Sequence, residues 1–308
     1  MKNVLVTGAT SFIGVHVIKE YLKNNCAVIA VVRRNSKNFK RLPKSNFLTV
    51  VEIDMEQIGE IIEKIETKKI DIFYHLAWEG ARVPYRDDAI LQNENYRCAI
   101  NAMKAAKRLG CDTFIGAGSQ AEYGSCIGKI DEDYEAKPTT EYGKAKLRAY
   151  ETLKVMAKEN SIKFIWTRIF SVYGVYDYQG TLVMSALGKM KRNECMQLTQ
   201  CVQSWDFIYV EDVARAMYLL ANTSCMDGIY NIASGKSRHL KEFVIDMKEI
   251  CKSTSELQFG AIPYNSEGVI SFEPIVDKLK QNLGWSCEVE FDDGIKKILE
   301  FIGWGIVK

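Results

Sequence analysis

The sequence predicts an α/β protein: a doubly wound parallel sheet with a smaller C-terminal α/β lobe. Two observations carry this. Short runs rich in Val, Ile and Phe recur at Val4 to Val6, Val28 to Val32, Phe47 to Ile53, Ile70 to His75, Thr113 to Ala117 and Lys163 to Arg168. Longer amphipathic stretches separate them, the pattern of strand-helix-strand units. The second is size, because 308 residues is where a single hydrophobic core stops growing. The chain is therefore expected to divide into a dinucleotide-sized domain over residues 1–173 and a smaller lobe over 174–308, with elements able to interleave.

The first strand, Val4-Leu5-Val6, runs into Thr7-Gly8-Ala9-Thr10-Ser11-Phe12-Ile13-Gly14. Phe12, Ile13, Val17, Ile18, Tyr21 and Leu22 then lie on one helical face directed at a sheet. Gly8 lets the chain turn tightly at the strand end and Gly14 lets helix and sheet approach. The helix N-terminus presents free N–H groups to a pyrophosphate, as in a Rossmann-type domain. Beyond residue 174 the regularity fades into helical segments at Val210 to Leu220, Leu240 to Cys251 and Gly294 to Phe301.

Composition excludes several function classes. With 41 Lys and Arg against 39 Asp and Glu, the net charge of +2 offers no field for nucleic acid. No apolar run approaches the roughly 18 residues of a membrane span, so no membrane partner is expected. Only three apolar residues follow Met1-Lys2-Asn3, too few for a signal peptide. Nine scattered cysteines without a Cys-x-x-Cys pair read as reduced thiols, so a cytoplasmic location is expected. His16, His75 and His239 have no metal-site spacing, and no metal is expected.

The second strand ends Val31-Val32-Arg33-Arg34, with no carboxylate to meet a free ribose 2′-hydroxyl. Two adjacent arginines can grip a 2′-phosphate, which points to NADP, with NAD as the alternative. Hydride exchange with a secondary alcohol also needs a proton partner. A tyrosine serves when its phenol, ordinarily near pKa 10, is pulled toward neutrality, and a lysine one helical turn away is suited to do so. The chain holds two Tyr-x-x-x-Lys pairs, Tyr142 with Lys146 and Tyr150 with Lys154. Pro138-Thr139-Thr140 starts a helix with Glu141 in its first turn, which places Tyr142 at the mouth and Tyr150 two turns down. Tyr142 is therefore the expected proton carrier. Ser119, at the C-terminal edge of the strand ending near Ala117, is placed to hold the substrate oxygen against it.

These motifs resemble the extended short-chain dehydrogenase/reductase family, the nucleotide-sugar epimerases, dehydratases and reductases. The family commonly carries T-G-x-x-G-F-I-G at the first turn, with Ser11 here standing for its middle glycine, and a serine there can also bond a phosphate. The resemblance continues at Asp54-Met55, His75-Leu76-Ala77, Asn95, Ser119 with Tyr123-Gly124, Tyr142 to Lys146, Arg168 through Gly174, and Asp206 through Val213. It implies a Ser119-Tyr142-Lys146 triad and a cofactor site formed by Gly8, Thr10, Ser11, Phe12, Ile13, Gly14, Asp54 and Met55 along the adenine, Leu76, Ala77 and Trp78 at the middle, and Asn95. Family dehydratases carry acidic groups directly after the hydroxyl residue. Gln120 and Ala121 stand there, with Glu122 one place later, so dehydration is disfavoured. Gln120, Ala121, Ser171 and Trp205 are expected on the substrate side, with Tyr178 in the aromatic loop Gly174 to Gly180, which reads either as a loop over the sugar or as an ordinary surface loop. The resemblance further implies a nucleotide-sugar substrate and a homodimer. The leading expectation is NADPH-dependent reduction of a 4-keto (6-deoxy) sugar nucleotide. Nucleotide-sugar 4-epimerisation is the alternative, and a non-catalytic dinucleotide sensor, which would dispense with the Tyr-Lys pair, is the remote one.

Overall fold

Strands that read as unbroken Val and Ile runs bury both faces, so they require helices on both sides of a parallel sheet. The computed structural model, which describes residues 1–67, 69–264 and 269–304, has that arrangement. Its first half runs β1 (Asn3–Thr7), α1 (Phe12–Lys23), β2 (Ala27–Val32), β3 (Leu48–Glu52), α2 (Ile61–Lys64), β4 (Ile72–His75), α3 (Ala89–Arg108), β5 (Thr113–Ser119), β6 (Ile127–Ile130), α4 (Glu141–Glu159), β7 (Lys163–Ile169) and β8 (Ser171–Tyr173). The second half follows as α5 (Leu182–Lys191), β9 (Met196–Leu198), β10 (Ser204–Trp205), β11 (Phe207–Tyr209), α6 (Val210–Asn222), β12 (Gly228–Ile232), β13 (Arg238–His239), α7 (Leu240–Ile250), β14 (Leu257–Phe259), β15 (Ser271–Pro274), α8 (Asp277–Leu283) and α9 (Phe291–Phe301).

Seven strands form the central sheet in the order β12-β7-β5-β4-β1-β2-β3, all parallel. β1 pairs with β2 on one side and β4 on the other, so the winding reverses there. The crevice beyond the C-terminal ends of β1 and β4 is the topological switch point, where ligands bind in such sheets. On one face α1 and α6 bury Val17, Ile18 and Tyr21 with Met217 and Leu220. On the other, α3 and α4 bury Ala102, Met103, Ala149 and Leu153. A separate core of Val183, Leu187, Val244, Met247, Ile295 and Ile298 belongs to the C-terminal lobe.

The central sheet draws on both halves of the chain, since β12 returns from the second half to pair with β7, Gly228 opposite Ile165 and Ile232 opposite Ile169. Two buried carboxylates tie segments of the second half together. Asp206 accepts the Ser234 N–H and hydroxyl, both at 2.8 Å. Asp212, in the first turn of α6, accepts the Val289 N–H at 2.9 Å. Among the described residues no helix is long and apolar enough to cross a membrane.

Candidate active site

The turn after β1 is shaped by backbone crowding. Gly8 has φ +67°, and a Cβ there would lie 2.7 Å from the Ala77 nitrogen. A Cβ on Gly14 would lie 2.3 Å from the Gly8 carbonyl oxygen. Only glycine fits either place, and the result is an open cradle at the N-terminus of α1. The Ser11 hydroxyl accepts the Gly14 N–H at 3.1 Å and caps the helix, which uses an acceptor lone pair and leaves its O–H as a donor. The first-turn N–H groups of Phe12 and Ile13 have no intrahelical acceptor, and no acidic side chain sits in that turn. These donors and this cradle fit a pyrophosphate. Thr10 turns aside to bond Ser36, oxygen to oxygen at 3.0 Å.

Beyond the end of β2, Arg34 already has protein partners. Its backbone N–H donates to Asp54 Oδ1 at 3.2 Å, its Nη2 donates to Gln57 at 2.9 Å, and its Nε lies 3.6 Å from Asp54 Oδ2. Arg33 lies 3.9 Å from Glu79. Both guanidinium groups are more than half exposed, and ion pairs of that length and exposure are worth about 0–1 kcal/mol, so neither arginine is committed. Met55 begins the short 3₁₀ helix after Asp54 and packs against the core. Asn95 does not reach the cleft. Both ends of its amide hold the Glu79 backbone, at 2.8 and 2.9 Å, and so brace the loop behind Trp78.

The chemical end lies in a cleft of about 580 Å³ between the lobes, lined by Ser119, Gln120, Ala121, Tyr142 and Lys146 together with Leu76, Trp78, Ser171 and Trp205. Thr140 caps α4 by accepting the Gly143 N–H at 3.1 Å, which sets Tyr142 at the helix mouth. Gly143 is needed for this, because a Cβ would lie 2.4 Å from the Ala121 carbonyl oxygen. Tyr150 sits two turns down, packed on Phe164 and Trp166.

Lys146 is 3% exposed, and its ammonium donates to the Ala117 carbonyl at 2.6 Å while lying 3.7 Å from the centre of the Trp78 ring. Burial pushes it down to about 7, against the opposing pull of the Glu122 carboxylate. The expected lowering of the Tyr142 phenol by Lys146 is not what the structure gives. Burial raises that phenol above its ordinary value, and the groups opposing the rise are Ser119, Arg86 and Arg82. The Lys146 ammonium lies 5.8 Å from the centre of the Tyr142 ring, farther than from the Ala117 carbonyl and the Trp78 face that hold it.

Glu122 turns inward, fully buried, and accepts from Arg168 Nε at 2.8 Å, Trp166 Nε1 at 3.0 Å and the Ser119 N–H at 2.8 Å. It therefore braces Ser119 from behind and offers no acid to the cleft. Tyr178 is the substrate-side residue that the structure does not bring to the cleft wall. It is 59% exposed and stacks on Arg82, 4.7 Å from ring centre to guanidinium, outside the lining. Sequence reasoning missed Arg82, Arg86, Thr181 and Gln203, all of which line the cleft. An Arg-rich stretch, Arg82 to Arg86, directly after the Leu76-Ala77-Trp78 edge was the available signal.

The model of the NAD dependent epimerase/dehydratase family matches residues 4–233. Over the full length, the chain is 27% identical to the CDP-abequose synthase of Salmonella muenchen, covering 97% of each chain. It is 26% identical to the dTDP-4-dehydro-6-deoxyglucose reductase of Escherichia coli, covering 97% of each. Identity to a putative UDP-glucose 4-epimerase of Methanocaldococcus jannaschii is also 26%, over 97% of this chain and 98% of that one. Among solved structures, the UDP-glucose 4-epimerase of Thermotoga maritima with UDP-glucose superposes with a TM-score of 0.85 at 24% identity, covering 98% of both chains. With three quarters of the chain inside the family model and the likeness running end to end, this protein is an enzyme of the NAD-dependent epimerase/dehydratase family.

Proposed function

We propose that the protein reduces a 4-keto group on a nucleotide-linked sugar, with NADPH as the reductant. One observation carries this reading: Ser119, Gln120, Tyr142 and Lys146 share one cleft that no carboxylate lines. Expelling water from a sugar needs acidic groups beside the hydroxyl residue, and Glu122 is locked in the core by Arg168 and Trp166. What remains is delivery of a proton to an oxygen.

A bound nicotinamide supplies the hydride. Ser119 holds the substrate oxygen, and Tyr142, kept protonated by burial, gives its phenolic proton to that oxygen as the carbonyl carbon is reduced. Lys146 fixes the floor of the cleft through Ala117 and Trp78. Gln120 Oε1, buried without a partner, is an acceptor available to a sugar hydroxyl. Ser171 and Trp205 complete the wall. Arg33 and Arg34, loosely paired and exposed, can exchange their carboxylate neighbours for a 2′-phosphate, which supports NADPH.

The second reading, 4-epimerisation with retained NAD, is supported by the putative 4-epimerase among the relatives. Stoichiometry separates the two. Incubation with a panel of 4-keto nucleotide sugars is expected to oxidise one NADPH per sugar converted. Conversion of a 4-hydroxy nucleotide sugar to its epimer, with no net change in nicotinamide absorbance, would overturn the reductive reading.

A further inference from the structure

We propose that Arg86 is an anion-binding residue of the catalytic cleft, placed to grip an acidic group of the substrate near the reacting oxygen. The inference rests on the reading that a nucleotide-linked sugar enters this cleft. Three cationic side chains line it, Arg82, Arg86 and Lys146, and no carboxylate does. Two of the three have partners. Arg82 pairs with the buried Asp177 carboxylate at 3.2 Å and stacks on Tyr178. Lys146 has the Ala117 carbonyl, the Trp78 face and the nearby Glu122 charge.

Arg86 has no ion pair or hydrogen bond among the described residues, and its Nε is buried without a partner. A guanidinium drawn partly out of water with no counter-charge costs free energy that a ligand's negative charge recovers. Its planar fork matches the paired oxygens of a phosphate or a carboxylate.

The loop that carries it is fixed rather than trailing. Gln92 Nε2 donates to the Gly80 and Tyr85 carbonyls at 2.9 and 3.1 Å, which clamps the loop to α3. Asp87, the next residue, accepts the Glu141 N–H at 3.1 Å at the start of α4. Glu141 directly precedes Tyr142, so Arg86 is held beside the helix mouth where the proton is handed over. Its charge favours the ionised form of Tyr142. An oxyanion on Arg86 cancels that influence and keeps the proton on the phenol, the form a reduction uses.

A nucleotide-linked sugar offers two oxyanions, its diphosphate and a carboxylate on the sugar. Calorimetric titration of the NADPH-loaded protein with UDP, CDP, dTDP and GDP, then with UDP-glucose and UDP-glucuronate, distinguishes them. R86Q is expected to bind tenfold or more weakly than wild type, with NADPH affinity and the thermal midpoint unchanged. Loss already seen with the bare nucleotides assigns the diphosphate; loss confined to UDP-glucuronate assigns the sugar carboxylate. R86K, which keeps the charge without the fork, is expected to fall between R86Q and wild type. If R86Q binds every probe as tightly as wild type, the inference is overturned while the function stands. If wild type binds none of them, the function proposed above falls with it.

Discussion

The two ends of the cleft are built from different materials. At the cofactor end the shape comes from backbone: two glycines pressed within 2.3 to 2.7 Å of main-chain atoms by any added Cβ, and a helix start whose donors point outward. At the chemical end the shape comes from side-chain charge taken out of water. Lys146, Glu122 and Arg168 are all buried there, with the half-buried Tyr142 beside them. Backbone shape is set by residues close in sequence and tolerates almost no substitution. A buried charge is set by whatever packs on it from other elements, so its effect depends on partners that the motif does not contain.

The largest expected effect tests the chemical end. Tyr142→Phe removes the proposed proton carrier and keeps the ring packed on Trp78, 6.2 Å between centres. Turnover should fall by about 10² or more while cofactor affinity persists. Tyr150→Phe, on the same helix with its own Lys154, should leave the rate near wild type. Steady-state rates of the two variants side by side would reverse the assignment if Tyr150→Phe proved the slow one.

The next effect tests the rim of the cofactor end, where side chains replace backbone. Arg33→Gln with Arg34→Gln removes the proposed charge-assisted contacts to a 2′-phosphate, expected to be worth about 1.5–3 kcal/mol, or roughly one to two powers of ten in NADPH affinity. NADH affinity should hardly move. Fluorescence titration with both coenzymes reads this directly, and a wild type that binds them equally would mean that the arginines serve only Asp54, Gln57 and Glu79.

The same contrast explains what the sequence made legible. Strand runs and the apolar face of α1 are local and periodic, and β1 to β5 and β7 fall within two residues of the Val, Ile and Phe runs. The Gly8 to Gly14 turn was readable because its spacing encodes a steric requirement. Tyr142 and Lys146 were readable as a pair one turn apart, but the consequence drawn from the spacing was not. Which charge reaches the phenol depends on β5, on the Trp78 loop and on the inward turn of Glu122, none of them local to α4. Tyr178 shows the same limit: an aromatic loop is visible in sequence, but its stacking on Arg82 from a distant loop is not. Arg86 went unread because Arg82 and Arg86 fall in a loop with no motif spacing, so only their place after the Trp78 edge hinted at a role.

The smallest effect bears on the backbone end and on Ser11. If the cradle holds phosphate through main-chain donors, the Ser11 hydroxyl matters as a helix cap and little as a ligand. Ser11→Ala should then cost about 1 kcal/mol of stability, whereas Ser11→Gly should cost only a few tenths, because glycine is tolerated at the cap position. Both variants should bind the coenzyme nearly as well as wild type, since the N–H groups of Phe12 and Ile13 are untouched. Chemical denaturation measures the first quantity and coenzyme titration the second. A tenfold loss of coenzyme affinity in Ser11→Gly, with stability nearly intact, would show that the hydroxyl donates to phosphate while accepting from Gly14. The cofactor end would then depend on side chains as well, and the contrast between the two ends would narrow to the positions of Gly8 and Gly14.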